Sequence, residues 1–491
     1  MPDQAWGQPR AEADGLSVWL RAPTGRAPAA SAGTALFVHG AAVHRNRRVR
    51  RIELLAGSTP ARAMATAMPS PTLAAETGSA AAARSIFWGI VAPATGATPE
   101  LELLVELEGG DTVRVGLGPA TGAAPPAPRQ AGDSTASVAI CMATYEPPGE
   151  LLERQLESLR AQTHTDWVCV ISDDASTGGA YERLERLTAG DPRFVVSRAP
   201  ERGGAYANFA RALAMVPAAA HYVALADQDD RWHPNKLETL VGALGDARMV
   251  FSDMRLTGPD GTVISDTYWT RRVPNHDNYA SLLLGNSVTG AATLFRRDLL
   301  DVALPLPPRV GNLYHDHWLA LVAASTGRIA YVDRPLYDYV QHPEAVIGHA
   351  GANVGVVGGG VLQRLAALRG RAPGRLRAEW RRIYFAEYCR MALTAVALEH
   401  RLGPALGTDR RRALNRALAL DRSVTAGAWL ATRQLRRLAR DDTGGSETGL
   451  LRGLAWRRAL ALRGGRDALD DADLPPGIVG VDPSPATRVL R

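Results

Sequence analysis

The segment Leu225–Pro234 reads LADQDDRWHP and puts Asp227, Asp229 and Asp230 within four positions. They close an apolar run, His221–Ala226, that reads as a strand. Three adjacent carboxylates repel one another, and burial would raise their pKa values. Either something positive sits among them or they lie open to water. Hard divalent cations are held by one or two carboxylates plus substrate phosphates. Asp229, with Asp227 beside it, could therefore hold Mg2+ or Mn2+ brought in on a diphosphate. The bland alternative is a solvated turn. Asp230 could instead cap a helix starting near His233-Pro234, because Asp suits an N-cap and Pro a first turn.

From Ser137 onward, apolar strands alternate with helical patterns. Ser137–Thr144, Trp167–Asp174, Arg193–Ala199 and His221–Asp230 read as strands, with helical spacing in Gly149–Gln162 and Ala205–Val216 between them. Such alternation predicts a parallel sheet covered on both faces. Such sheets bind ligands beyond the carboxyl ends of their strands. Those ends carry Thr144-Tyr145-Glu146, Asp173-Asp174, Arg198 followed by Gly203-Gly204, and Asp227-Gln228-Asp229-Asp230. One of Asp173 and Asp174 could accept from a base N–H while the other caps the next helix. Asp227 could accept from ribose hydroxyls. Gly203 and Gly204 would shape a turn near the ligand.

These motifs, in this order, resemble family 2 glycosyltransferases of the GT-A fold. The resemblance rests on SVAICMATYEPPGELLERQLESLRAQTHTDWVCVISDDAST, the Gly-Gly turn before ANFARALA, and VALADQDDRWHPNKL. It extends to about Ala350 through GNSVTGAATLFRRDLL and YHDHWLALVAASTGRIAYVDRPLYDYVQHPEAVIGH, the latter similar to a bacterial rhamnosyltransferase-like branch. The resemblance implies that Asp316 is the catalytic base. It also implies that Tyr339–His342 closes over the diphosphate and metal, with His342 touching one of them. Gln228 stands where some members carry a third Asp, and His317 where the branch has Trp. As a helix cap Asp316 would be merely structural. His315 and His317 are not expected to be metal ligands.

The resemblance implies an inverting, metal-dependent transfer from a nucleotide-diphosphate sugar. dTDP-L-rhamnose is the leading donor and UDP-sugars come second. The implied acceptor is a cell-surface glycan or its lipid carrier. A nucleotidyltransferase would want a Lys-bearing triphosphate loop after the first strand, and TYEPPGE has none. A non-catalytic carbohydrate-binding or scaffold protein is the rival outside enzymes, and the intact acidic motifs speak against it.

Around this GT-A domain, set at 137–350, the chain divides by composition. Residues 1–118 show short strands, including the Leu101–Leu117 hairpin with its Gly-Gly-Asp turn, and predict an all-β sandwich-like accessory domain dispensable for chemistry. Residues 119–136 read as a Pro/Ala/Gly-rich linker, 351–465 as Arg-rich amphipathic helices, and 466–491 as a flexible tail. The chain has 491 residues and a net charge of +6, with 46% hydrophobic and 22% charged residues. Lys236 is its only lysine. The Arg-rich helices lack interleaved aromatics, so nucleic acid is not an expected partner. A solvated face is the first reading of them, and peripheral contact with a membrane surface the second. No membrane span or signal peptide is expected, and the three scattered cysteines suggest the cytoplasm and ordinary packing.

Overall fold

The structure, a computed structural model, describes residues 6–22, 34–93, 100–119, 134–270, 272–342, 373–436, 440–462 and 472–479. Most of the expected linker and the start of the Arg-rich region fall outside these residues.

Among the described residues the N-terminal part holds two antiparallel sheets. One contains Ala11–Ala13, Leu16–Ala22, Leu36–His44, Ile86–Val91 and Ala63–Met68 in that spatial order; the other contains Thr59–Pro60, Val49–Ala56, Glu100–Leu107 and Thr112–Pro119. The hairpin forms as its spacing predicts. Leu101, Leu103, Val105 and Leu107 alternate inward, and Gly109 and Gly110 take positive φ at the turn. A helix, Pro71–Thr77, and a 3-10 turn, Ala80–Arg84, interrupt a stretch whose sequence shows no helical period.

Ile86–Val91 is buried along its whole length, and its period of two splits it between two cores. Phe87 and Val91 join the apolar cluster between the two sheets. Ile86, Trp88 and Ile90 point the other way, into the cluster that includes the α/β domain and the C-terminal helices. A strand with both faces covered needs an unbroken apolar run, as IFWGIV supplies. The N-terminal sheets therefore share a core with the rest of the chain.

Among the described residues the sheet of the α/β domain has nine strands. Its order is Phe194–Arg198, Trp167–Asp173, Val138–Thr144, Tyr222–Ala226, Thr293–Arg296, Met249–Thr257, Ile329–Val340 and Arg231–Trp232, with Val263–Ser265 paired beside Met249–Thr257. The first four are mutually parallel, as predicted. Thr293–Arg296 then runs antiparallel to both its neighbours, so the whole sheet is mixed. Its short apolar run carries no mark of direction, which is set by the connections around it.

The C-terminal region is helical, as expected. It contains Pro373–Ile383, a π-helical turn Tyr384–Cys389, Arg390–Leu402, Thr408–Ala419, Val424–Arg436 and Ser446–Leu462. Among the described residues no helix is long and apolar enough to cross a membrane. Where a loose tail is expected, residues 472–479 are pinned at both ends. Ala472 donates to the Pro69 carbonyl at 2.9 Å, Asp473 pairs with Arg21 at 3.2 Å, and Gly311 donates to the Ile478 carbonyl at 2.7 Å.

Candidate active site

Parallel register brings the predicted strand ends together. Thr144 lies opposite Asp173, and Asp173 opposite Arg198. Asp173 is fully buried and turned inward. Its carboxylate accepts from Thr144 Oγ1 at 3.0 Å, from Ser176 N at 2.9 Å and from Ser176 Oγ at 2.6 Å. Asp174 accepts from Gly203 N at 2.7 Å and Gly204 N at 2.8 Å. Burial pushes the Asp174 carboxyl up, against the pull of those two donors. Neither aspartate caps the helix Ala180–Thr188, whose N-cap is Gly179. The helix starts too far along the chain, after a Thr177–Gly179 turn. Asp174 instead fixes the Gly-Gly turn, where Gly204 has φ 83°.

Gln228 joins two strand ends. It accepts from Tyr145 N at 2.8 Å and donates to Tyr145 O at 3.2 Å. Glu146 accepts from Thr177 N at 2.7 Å and Thr177 Oγ1 at 2.8 Å. Arg198 donates to the Ser176 carbonyl at 2.5 Å and lies over the Tyr181 ring. Arg202, absent from the sequence-based set, stacks over Tyr145 at 4.1 Å from the ring centre. Much of the predicted nucleotide edge is thus cross-braced by its own side chains.

The acidic strand end has an internal counter-charge. Lys236 is fully buried, lies 3.5 Å from the Trp232 ring centre and donates to the Ala291 carbonyl. Burial lowers its pKa, while Asp230 and Asp227 pull it back up. Asp230 is fully buried against this cluster and is not a helix cap; Asn235 precedes the helix Lys236–Leu244. Burial raises the Asp230 carboxyl, with Asp227 and Asp229 adding to the rise. The lone lysine of the chain was the available signal for this role, since Arg fills the other basic positions.

Asp229 is less buried and reaches His342, whose Nε2 lies 2.8 Å from its carboxylate. Burial raises the Asp227 carboxyl, and both Asp229 and Asp316 raise it further. Among the described residues no three His, Cys, Asp or Glu side chains are grouped to hold a metal by themselves. Asp229 and Asp227 would suit only a cation whose remaining ligands are phosphate oxygens, as hard divalent cations allow.

Asp316 is in the first turn of the helix His315–Thr326, whose N-cap is Tyr314. One carboxylate oxygen accepts from Gly290 N at 3.1 Å and the other from His317 N at 2.6 Å. Burial raises the carboxyl to about 6, although these N–H donors oppose the rise. Gly290 permits the close approach, because a Cβ there would lie 3.1 Å from His315 Nε2 and 3.3 Å from Asp316 Cβ. His315 stacks on Phe209 at 3.6 Å, and burial holds it to about 3. Asp316 lines a cavity of about 280 Å³ together with Tyr268, Trp269, Tyr314, Glu387 and Arg390. The last two lie in the C-terminal helices and were not predicted as site residues.

Residues 139–303 match the family model described as Glycosyl transferase family 2. An uncharacterized glycosyltransferase of Nostoc is 29% identical over 205 residues, covering 39% of this chain and 61% of the relative. TuaG of Bacillus subtilis, named for teichuronic acid biosynthesis, is 29% identical over 147 residues, covering 30% of this chain and 56% of the relative. The chain thus spans less than two thirds of these relatives. Among solved structures, Staphylococcus aureus TarS 1–349 in complex with UDP-GlcNAc is 13% identical with a TM-score of 0.38, covering 71% of this chain and 99% of that one. The acidic strand ends and the Gly-Gly turn lie inside the segment that matches the glycosyl transferase family 2 model, residues 139–303.

Proposed function

We propose that the chain is an inverting glycosyltransferase that moves a sugar from a nucleotide-diphosphate donor to a hydroxyl of a cell-surface glycan or lipid-linked acceptor. One observation carries this reading: Asp316 lines a cavity and, across Gly290, lies beside the strand that leads into Asp227. This supports a role for Asp316 as a base beside the residues suited to a diphosphate. A carboxylate raised to about 6 is still ionised near neutrality and is a better proton acceptor than an ordinary one.

In this reading Asp316 takes the proton from the acceptor hydroxyl as its oxygen attacks the anomeric carbon. Asp227 receives the ribose hydroxyls and contributes with Asp229 to the cation site, while His342 orients the Asp229 carboxylate. A bound Mg2+ or Mn2+ supplies charge neutralisation for the leaving diphosphate. Asp173 and Asp174 hold the turn and strand end that face the nucleobase. dTDP-L-rhamnose is the first donor to test and UDP-sugars the second, given the rhamnosyltransferase-like segment around Asp316. The names of TuaG and of an Escherichia coli relative, WcaA, refer to teichuronic and colanic acid biosynthesis, which favours a polysaccharide acceptor. Work at the cytoplasmic face of the membrane follows from such an acceptor.

The test is turnover of a panel of sugar nucleotides, with thermal stabilisation by each nucleotide measured with and without Mn2+. Stabilisation that needs both components, with release of one nucleotide diphosphate, is the expected result. No response to any nucleotide would return the chain to a carbohydrate-binding role.

A further inference from the structure

The cavity holding Asp316 is built by two parts of the chain. Tyr268, Trp269 and Tyr314 come from the α/β domain, and Glu387, Arg390 and Ser446 from the C-terminal helices. Glu387 sits on the π-helical turn Tyr384–Cys389. A π turn redirects side chains relative to an α-helix and recurs at functional sites. This one is braced from both sides. Asn312 donates to Glu387 Oε1 at 2.5 Å. Gly311, at φ 56°, lets the chain pass so close to Ala386 that a Cβ would collide with its carbonyl group. On the far side Tyr384 and Tyr388 pack edge-on to Trp88 of the N-terminal sheet at 6.2 and 6.1 Å.

We propose that this cavity is the subsite for one neutral pyranose residue of the acceptor, with Glu387 receiving a hydroxyl and Trp269 a ring face. The inference rests on the transferase reading for why a sugar enters beside Asp316. About 280 Å³ is at the lower edge of ligand pockets, enough for a ring but small for a nucleotide. Aromatic walls with a few fixed polar groups suit a ring that has C–H faces and hydroxyl edges.

Charge decides for a neutral sugar. Arg390 already donates toward Glu387 at 3.4 Å and to the Leu284 carbonyl at 3.1 Å. Arg272 donates to the Asn286 carbonyl at 2.8 Å and lies in the field of Asp441, Asp442 and Glu447. An acidic sugar would bring a carboxylate to a buried place whose cations are already matched, at a desolvation cost nothing repays.

Saturation-transfer NMR on the full chain tests the assignment, with methyl hexopyranosides and methyl glucuronide as probes and no nucleotide present. The neutral probes should bind. Glu387→Gln and Trp269→Leu should each weaken that binding by about tenfold or more and leave Mn2+–nucleotide affinity within about twofold. The two changes lie in different parts of the chain, and Trp269→Leu keeps an apolar side chain in place, so the test does not rest on Glu387→Gln alone. Unchanged pyranoside binding in both variants, binding of the glucuronide in preference, or no neutral binding at the solubility limit would each overturn the subsite. Absence of nucleotide affinity in the unaltered chain would count against the transferase reading alone, because the probes are read without nucleotide.

Discussion

Arg390 donates to Nδ1 of His317 at 3.3 Å, while His317 donates from Nε2 to the Leu282 carbonyl at 2.7 Å. The carbonyl can only accept, so the proton belongs on Nε2 and Nδ1 is left as the acceptor. Burial, with Arg390 adding to it, holds this imidazole neutral at about 3. The residue next to Asp316 is thereby tied to a C-terminal helix without bringing a charge beside that carboxyl.

For Asp316→Asn, transfer to a competent acceptor should fall roughly 10²–10⁴-fold with donor affinity little changed. In the unaltered chain the transfer rate should drop as pH falls through about 6, where the carboxyl protonates. The same shift works against the fold. The folded chain holds a proton that the unfolded chain releases, so stability falls as pH rises from about 4 toward 6. Asn removes that penalty but leaves one of the two N–H donors without an acceptor, so melting at neutral pH should change little. Wild-type transfer in the variant would reduce Asp316 to a helix residue.

Asp229→Asn should remove the Mn2+-dependent part of nucleotide binding while the fold survives. His342→Ala should weaken the same binding by a smaller factor, because it removes the 2.8 Å partner of that carboxylate and no carboxylate. Calorimetry of dTDP and UDP with and without Mn2+ reads both. Equal affinities in the unaltered chain and Asp229→Asn would take Asp229 out of the cation site.

Lys236→Met strips the buried counter-charge from Asp227 and Asp230. Leaving two buried carboxyls without a neighbouring cation should destabilise the fold. The loss should shrink on acidification, because both carboxyls are raised and protonate readily. Denaturant unfolding at two pH values checks this; a loss independent of pH would mean that packing against Trp232 and Tyr337, and not charge, sets the role of Lys236.

Trp88→Ala should cost roughly 3–5 kcal/mol, since it opens a hole in a core shared by the N-terminal sheets and the C-terminal helices. Deleting residues 1–118 uncovers Tyr384, Phe385 and Tyr388, which are fully or almost fully buried in the whole chain. The expected product is insoluble or devoid of acceptor binding, against the dispensability expected from the sequence. A truncated chain that melts cooperatively and transfers sugar at the full rate would restore the view of a separable module.

The sequence by itself determined the elements whose signal is local. Val138–Thr144, Trp167–Asp173 and Tyr222–Ala226 are short apolar runs between helical patterns, and their parallel pairing follows from that alternation. The carboxylates at their ends were legible for the same reason, as was Asp316 through its family-like surroundings. Tertiary structure decided what those carboxylates face. Asp173 and Asp174 both spend their oxygens on the turns beside them, because folding delivers the N–H donors of Ser176, Gly203 and Gly204 to those strand ends. Lys236 and Asp230 are neighbours of a buried cluster only once Tyr337 and Trp232 close over them. Glu387 and Arg390 reach the cavity from a helical region far along the chain from Asp316. An amphipathic Arg-rich helix looks the same in sequence whether its polar face meets water or a binding cavity; here the apolar face of the N-terminal sheet and the contact at Gly311 fix which way it turns.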